Sequence, residues 1–468
     1  MCVIGAGIAG MATAAMLNDL GRTVAVVESR RPGSGTTGHS SAKVTVLHGH
    51  HGERIADIHD PQAAATYLSA NQWGFDWIST LAGQLGDCRW ETRPAITYAV
   101  DDANEAAIVR EHQLLGSAGI GSHLESKEMP WGTHRALVCP DQAQFDPQRF
   151  LDLLTQHLDA SGASVHTSTT VTGISERSNH VEVRTSSGTT RAAHVVVTTN
   201  LPIVDRGLHF ARTEPQTSHV VGVQVRHEPP PGMYLSAGGP LRSIRTAIGA
   251  DGERIVLVGG EGHRTGTVTD TLERQRTLVD WAATHLDVTA VTHRFSAQDY
   301  TTPDLIPFAG PIHPGSRRVH TITGLNKWGF TNAPAAAAII AAHIVRADVR
   351  PAWSELYSAS RVPLAGATEL ARAGVSVAVQ AVTGWTTSLS KHPLRPGQPI
   401  GSGPRRPCVA SGVCTHLGGI VRWNDAAQTW DCPLHGSRFT DAGTVEHAPA
   451  TTPLRGTDTG DGSRRAES

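Results

Sequence analysis

The first 28 residues alternate between short apolar runs and a glycine-rich turn. Residues 2–4 predict a buried strand, and the Ala-, Met- and Leu-rich run after the turn predicts a helix that ends at Leu20. Residues 23–27 predict a second strand, so that the whole segment forms a βαβ unit. Only four residues precede Gly5. Because an average strand has about 5–6 residues, we expect the first strand to begin upstream of Met1.

Helical and strand-like patterns continue along the chain. Small apolar residues and helical periodicity predict helices over residues 63–81, 147–158 and 333–345. Runs rich in β-branched residues predict strands over residues 170–175, 181–185, 194–198, 217–225 and 255–258. This mixture predicts an α/β protein in which a Rossmann-type domain carries an antiparallel α+β layer.

Composition changes near Lys391, where a segment rich in Pro and Gly begins. Such a segment is typical of a linker between two domains. Residues 456–468 contain almost no apolar side chains and predict a disordered tail. The predicted domains are therefore residues 1–360, a helical segment and linker at 361–403, a small domain at 404–455, and the tail.

Charge and length exclude several classes of protein. The 468 residues carry 40 basic and 42 acidic side chains, so no overall basic field favours nucleic acid or an anionic membrane. The longest apolar run, residues 335–345, is shorter than the ~20 residues of a membrane span. Glycines interrupt the apolar N-terminus, which argues against a secretion signal and for a cytoplasmic protein. Six cysteines are too few for a disulfide scaffold, which favours metal or redox chemistry.

The first chemical motif is the turn with Gly5, Gly7 and Gly10. Glycines at this spacing let backbone amides approach a pyrophosphate at the start of a helix. Glu28 follows Gly10 by 18 residues, where an acid accepts hydrogen bonds from ribose hydroxyls. The motif predicts a dinucleotide with an unphosphorylated ribose, FAD or NAD rather than NADP. The alternative is a glycine-rich turn with no ligand.

Segments later in the chain favour FAD over NAD as the cofactor. Residues 38–45, 195–202, 303–310 and 324–331 occur in the order found in D-amino-acid-oxidase-type FAD oxidoreductases, which residues 1–360 resemble. The resemblance implies that Ser40, Val171, Gly324 and Thr331 bind FAD together with the glycine turn and Glu28. It also implies that the helix near residue 333 faces the flavin pyrimidine. Residues 324–331 contain no cysteine, so the covalent attachment of flavin through Cys that occurs in the family is not expected here.

Charged residues within the resembling segments are the candidate catalytic groups. Lys43 and Lys327 are two of only four lysines, and both fall in segments expected to surround the flavin. Arg242, Arg245 and His263 lie in the predicted antiparallel layer, where they would bind a substrate carboxylate. The alternative for each is an ordinary surface charge.

The second motif lies near the C-terminus. Cys414 and His416 form a C-x-H pair, and Cys432 and His435 follow as C-x-x-H after 15 intervening residues. Two such pairs provide two thiolates for one iron and two imidazoles for the other. A Cys2His2 zinc site and chance spacing are the alternatives. The flanking residues resemble the two cluster loops of a Rieske [2Fe-2S] domain, a small all-β fold.

The Rieske resemblance carries further implications. It places Gly419 and Leu434 where many members have a disulfide, so packing must hold the loops here. It also places His416 and His435 on an exposed edge, as the exit for electrons. The region before Cys414 is shorter than in the family, which usually has several strands there. Both motifs together, with the segment at residues 296–300, resemble the Rieske-containing FAD-dependent oxidoreductases of bacteria.

This group resemblance implies an enzyme. FAD oxidises a small donor, an amine or amino acid, and a [2Fe-2S] cluster passes the electrons singly to an external acceptor protein. One alternative is the reverse flow, in which the flavin reduces a substrate. The other is a redox sensor or electron carrier without turnover.

Overall fold

A computed structural model describes residues 1–362 and 412–455, which we call the larger and the smaller module. The predicted linker, apart from residues 361–362, and the predicted tail lie outside the described residues, as does the boundary at residue 404. In the described residues, no helix combines the length and apolar character needed to cross a membrane.

The described elements are seven α-helices, one 3₁₀ helix (His209–Ala211) and 22 strands. The helices are α1 (Ile8–Asp19), α2 (His51–Ile58), α3 (Pro61–Leu85), α4 (Asp102–Ser117), α5 (Pro147–Ala160), α6 (Thr271–His285) and α7 (Gly329–Val345). The strands are β1 (Cys2–Ile4), β2 (Ala25–Val27), β3 (Lys43–Val44), β4 (Glu91–Tyr98), β5 (His123–Met129), β6 (Gly132–Gln144), β7 (Ser164–His166), β8 (Val171–Glu176), β9 (Val181–Thr185), β10 (Gly188–Ala192), β11 (Val195–Val197), β12 (Glu214–Val225), β13 (Met233–Ser236), β14 (Arg242–Ile248), β15 (Arg254–Arg264), β16 (Val288–Thr301), β17 (Phe308–Pro311), β18 (Val319–Thr323), β19 (Arg422–Asn424), β20 (Thr429–Asp431), β21 (Arg438–Thr440) and β22 (Val445–His447).

The first layer of the larger module is a six-stranded sheet in the order β17-β18-β11-β1-β2-β7. Its strands pair in parallel except at β17, and β1 lies between β2 and β11. All three residues of β1 are buried, as expected of a central parallel strand. Helices α1 and α7 pack against each other in the main apolar core. This layer contains the predicted βαβ unit.

A second, nine-stranded sheet builds the other layer, in the order β16-β12-β15-β14-β13-β4-β6-β3, with β5 beside β6. Its pairs are antiparallel except β13 with β4. A separate three-stranded sheet joins β8, β9 and β10. The Rossmann-type domain and its antiparallel layer are therefore confirmed.

The smaller module is a four-stranded antiparallel meander, β19-β20-β21-β22. Its core contains Trp430 and Phe439. Beside them, Arg438 donates to the Asp431 carboxylate at 3.0 Å, and both side chains are buried. A small all-β fold was expected here.

Most predicted elements exist, with shifted ends. Helix α7 begins at Gly329, four residues before the predicted start, and includes Pro334. The strand predicted at residues 255–258 is the middle of the longer β15. Strands β4 to β6, β13, β14 and β16, which form most of the nine-stranded sheet, were not predicted as separate elements.

Candidate functional site

One large cavity of about 1110 Å³ lies along the C-terminal ends of β1 and β2 and beneath the nine-stranded sheet. Pockets for small molecules are typically about 300–1,000 Å³, so this one has room for an extended ligand and a small substrate. Residues of both modules form its wall.

The glycine turn lies at the start of α1. Gly5, Gly7 and Ile8 line the cavity, and the N-cap residue, Gly7, has no side chain to cap the helix. A Cβ at Gly10 would lie 1.9 Å from the Gly5 carbonyl oxygen, so glycine is required there for the helix to pack on the turn. A helix N-terminus beside a cavity is suited to a pyrophosphate, because the positive end of the helix dipole attracts negative charge. Gly10 itself acts by packing and does not line the cavity.

Glu28 lines the same end of the cavity. Its carboxylate accepts from the backbone amides of Ala6 at 2.8 Å and Arg30 at 2.9 Å. These contacts fix the carboxylate beside the glycine turn, where a ribose would bind. Ser40 and Val171 also line the cavity.

Two lysines line the cavity, Lys43 with a buried side chain and Lys327 with an exposed one. Lys43 donates to the Tyr234 carbonyl at 2.6 Å, and Lys327 donates to the Ser218 hydroxyl at 2.8 Å. Burial, with a smaller contribution from Arg245, lowers the pKa of Lys43 to about 7. Desolvation also lowers the pKa of Lys327, which is exposed and lines the cavity.

Other predicted residues lie off the cavity wall. The Arg245 guanidinium donates to the carbonyls of Thr246 and Phe145, and Arg242 pairs with Glu261 at 2.9 Å. These contacts hold both guanidinium groups inside the larger module, and the buried Nε of each has no hydrogen-bond partner within the described residues.

His263 also lies off the wall. Its ring stacks on His219, which does line the cavity, with ring centres 5.2 Å apart. Burial lowers the pKa of His263 to about 4 and that of His219 to about 3, so both imidazoles are neutral near pH 7.

The start of α7 contains a group that the sequence analysis left without a role. Trp328 lines the cavity and stacks on His48 with ring centres 4.4 Å apart. The Thr331 hydroxyl lies 3.1 Å from the His48 ring and off the cavity wall, and Gly324 is also off the wall. The helix therefore presents Trp328, Gly329 and Phe330 to the cavity.

Two tight loops hold the four predicted iron ligands. In the first cluster loop, residues 414–419, the Cys414 amide donates to the Gly419 carbonyl at 2.7 Å. In the second cluster loop, residues 432–437, the Cys432 amide donates to the Ser437 carbonyl at 2.8 Å. A hydrogen bond with the Cys432 thiol lowers the pKa of Cys414 to about 7, which favours a thiolate.

The two histidines of these loops also lie together. The rings of His416 and His435 have centres 5.2 Å apart. Within the described residues, His416 Nδ1 is buried and has no hydrogen-bond partner, as expected of an atom that ligates a metal. Adjacent thiols and an unpartnered imidazole nitrogen fit a two-iron cluster. Within the described residues, no group of three or more His, Cys, Asp or Glu side chains is placed to hold a single metal ion.

The expectation of an exposed histidine edge is wrong. The His416 side chain is 6% exposed and donates from Nε2 to Asp205 at 2.7 Å. Phe210 packs edge-on against both histidines, with ring centres 5.4 Å from His416 and 4.9 Å from His435. The larger module therefore covers the edge that was expected to face an acceptor.

The end of β16 connects the second cluster loop to the larger module. Gln298 donates through its amide to the Gly436 carbonyl at 2.7 Å. The Tyr300 hydroxyl donates to the carbonyl of His435 at 2.8 Å. Both side chains are buried, so these hydrogen bonds lie inside the interface.

Asp299, between them, lies on the opposite side of the strand. Its carboxylate lines the cavity and accepts from the Lys327 amide at 2.6 Å. Alternate residues of one strand thus contact the cluster loop and the cavity wall. Gln298, Asp299 and Tyr300 belong to the segment that resembled the bacterial group, but nothing in the sequence showed what each contacts.

Comparisons with known families agree with both motifs. Residues 1–343 match the family model of FAD dependent oxidoreductases named DAO. Residues 361–458 match the model of the Rieske [2Fe-2S] domain, from a start upstream of the predicted boundary at residue 404.

Individual proteins match as well. YhfW of Bacillus subtilis (strain 168), whose name describes a Rieske 2Fe-2S iron-sulfur protein, is 28% identical over 97% of this chain and 92% of its own. The cytochrome b6-f complex iron-sulfur subunit 2 of Trichormus variabilis is 50% identical over 42 residues, 9% of this chain and 24% of that protein.

Solved structures show the same fold for the larger module. L-proline dehydrogenase from P. horikoshii matches with a TM-score of 0.65 and 19% identity, over 77% of this chain and 96% of that one. Glycine oxidase from Geobacillus kaustophilus matches with a TM-score of 0.65 and 18% identity, over 77% and 98%.

Proposed function

Because the chain belongs to the DAO family of FAD dependent oxidoreductases and carries a C-terminal Rieske [2Fe-2S] domain, we propose that it oxidises an amine or amino acid and delivers the electrons to an external acceptor. FAD accepts two electrons from a donor and can release them one at a time, and the Rieske cluster carries one. Gly5, Gly7, Glu28, Ser40 and Val171 would hold FAD from the cavity wall. Cys414, His416, Cys432 and His435 would hold the cluster.

The observation that carries this proposal is the contact between the cluster loop and the cavity wall. Tyr300 and Gln298 bind the loop that contains Cys432 and His435, while Asp299 lies on the cavity. A short strand segment thus separates the two proposed redox sites. This arrangement supports electron exchange inside one chain.

Two cations support a donor that carries a carboxylate. Lys327 Nζ faces the cavity beside Ser218, and Lys43 lines the wall as well. An ammonium group in a buried site stabilises a carboxylate by charge-assisted hydrogen bonds. Trp328 and the stacked His48 add a flat apolar surface near Lys327. Fold relatives named for proline and glycine as substrates are consistent with this donor class.

Gly324 and Thr331 keep a role as supports for the start of α7, and Gly10 for the turn at α1. We propose Lys43 and Lys327 as the groups that contact the donor. Arg245 and His263, predicted for the same task, would act through the residues they contact, since neither lines the cavity.

A panel of amines and amino acids tests the proposed reaction. Each donor is mixed anaerobically with the holoprotein, and the flavin absorbance is followed, first alone and then with a one-electron dye. We expect donor-dependent bleaching, followed by dye reduction that Cys432→Ser slows at least about tenfold, equal to 1.4 kcal/mol in the barrier. Cys139→Ser, at a buried cysteine outside the cluster loops, is the matched control. Bleaching by no donor, or dye reduction at the native rate in cluster-free protein, would contradict the proposal.

A further inference from the structure

The smaller module does more than approach the cavity, because it supplies part of its wall. Residues 444–453 contribute eight of the lining residues: Thr444, Val445, Glu446, His447, Ala448, Ala450, Thr451 and Pro453. A ligand that fills the cavity would therefore touch both modules.

These residues line the end of the cavity that contains Glu28, the residue expected to bind the ribose. Glu446 pairs with Arg30 at 3.5 Å, and the Arg30 amide donates to the Glu28 carboxylate at 2.9 Å. Arg30 also donates to the Ser34 carbonyl at 3.1 Å, in the loop that follows β2. The smaller module thus covers the segment that carries the ribose-binding residue.

The same loop is held from a second direction. The Thr37 hydroxyl accepts from the Ile8 amide at 3.1 Å, at the first turn of α1. The neighbouring Thr36 hydroxyl donates to the carbonyl of Gln298, whose amide binds Gly436 in the second cluster loop. The loop after β2 is therefore bound on one side by the first turn of α1 and on the other by Gln298, which contacts the smaller module.

The contact between the modules is close enough to exclude added atoms. A Cβ at Gly266 of the larger module would lie 2.7 Å from the Pro433 nitrogen and 2.9 Å from the Cys432 carbonyl carbon. On the far side of the interface, the buried Thr271 hydroxyl donates to Asn424 at 2.8 Å and accepts from the Ala426 amide at 2.9 Å. Backbone in direct contact with backbone cannot slide without breaking these contacts.

We propose that the smaller module is a structural part of the FAD site and closes the end of the cavity that contains Glu28. FAD would then leave only when the smaller module moves off the cavity. The dinucleotide contacts would come from residues 444–453, beside those of the glycine turn and Glu28. Loss of the contacts between the two modules would then release FAD, even though every FAD-binding residue of the larger module remains.

Two substitutions weaken the contact between the modules at residues that do not line the cavity. Gly266→Ala inserts a methyl group against the cluster loop, and its control is Gly252→Ala. Gly252 has a similar φ of +82°, against +72° at Gly266, but nothing lies within 4 Å of its Cβ position. Thr271→Val removes two hydrogen bonds across the interface, and its control is Thr277→Val, whose hydroxyl bonds only within α6.

FAD release from the diluted full-length holoprotein is followed by the rise of flavin fluorescence. Hydrogen exchange of residues 444–453 reports displacement of the module, and the iron content reports the cluster. We expect Gly266→Ala and Thr271→Val to release FAD at least about fivefold faster, with both controls within twofold of the native rate. Larger side chains at residue 266, Val and then Phe, extend the series until displacement is seen.

A displaced module with FAD release at the native rate would overturn the proposal. The readout is FAD binding and requires no donor, so the inference can fail while the proposed reaction stands. If Glu28→Gln binds FAD with the native Kd, then the ribose end has been placed wrongly, which also overturns the proposal.

Discussion

Tyr300→Phe is predicted to loosen the second cluster loop without changing the fold of the larger module. The Tyr300 hydroxyl donates to the His435 carbonyl at 2.8 Å, accepts from Gln298 at 3.2 Å, and is 1% exposed as a residue. Its removal leaves a buried carbonyl without that donor, at a cost of about 1–3 kcal/mol. Because 1.4 kcal/mol is a factor of ten, opening of the loop should become about 5- to 150-fold more frequent.

Native-state hydrogen exchange measures this opening directly. The amides of Cys432 and Gly436, bonded to carbonyls at 2.8 Å and 3.0 Å, report the loop. Tyr234→Phe is the control, since Tyr234 is a buried tyrosine of the larger module that packs on Trp131. Loop protection that is unchanged in Tyr300→Phe, or lowered equally by Tyr234→Phe, would refute the assigned role of the hydroxyl.

Three further substitutions test the FAD site, the donor site and the stability of the smaller module. Glu28→Gln removes the charged acceptor for ribose hydroxyls and should weaken FAD binding by about 1.5–3 kcal/mol, roughly ten- to a hundredfold; an unchanged Kd in a fluorescence titration would show that Glu28 does not bind the ribose. Burial and Arg245 lower the pKa of Lys43 to about 7, so the ammonium is charged below pH 7 and neutral above it. Binding of acetate, read from flavin difference spectra, should weaken as the pH rises through 7, and Lys43→Met should flatten this profile; a native profile in the variant would contradict the role of Lys43. Arg438→Met leaves the buried Asp431 carboxylate unpaired and should destabilise the smaller module by about 3–5 kcal/mol, seen as lost iron and cluster absorbance. Arg226→Met breaks an exposed pair with Asp287 and should change stability by less than about 1 kcal/mol; equal iron loss in both variants would contradict the argument.

Local chemistry explains what could be predicted from the sequence. The turn with Gly5, Gly7 and Gly10 and the cluster loops around Cys414 and Cys432 act over a few residues, where spacing determines geometry. The cofactors of both modules were therefore predicted correctly. Spacing did not reveal the separate role of Gly10, which packs against Gly5, whereas Gly5 and Gly7 line the cavity.

Residues whose role depends on distant strands could not be placed. Arg245 shares a face of β14 with Ser243, which lines the cavity, but lies two residues farther along, where it bonds to Phe145. The contacts of Tyr300 with His435 and of Asp205 with His416 join residues 135 and 211 positions apart. No periodicity within one element encodes such pairs, so the buried histidine edge was not predicted.

The central claim is that the flavin and the cluster exchange electrons within one molecule. Illumination of the anaerobic holoprotein with EDTA reduces bound flavin without an added mediator, and low-temperature EPR then detects the reduced [2Fe-2S] cluster. The structure predicts that the cluster is reduced at a rate independent of protein concentration, and that the iron signal is absent in Cys432→Ser while its remaining flavin is still bleached. A cluster that stays oxidised beside reduced flavin, or one reduced in proportion to protein concentration, would contradict the claim.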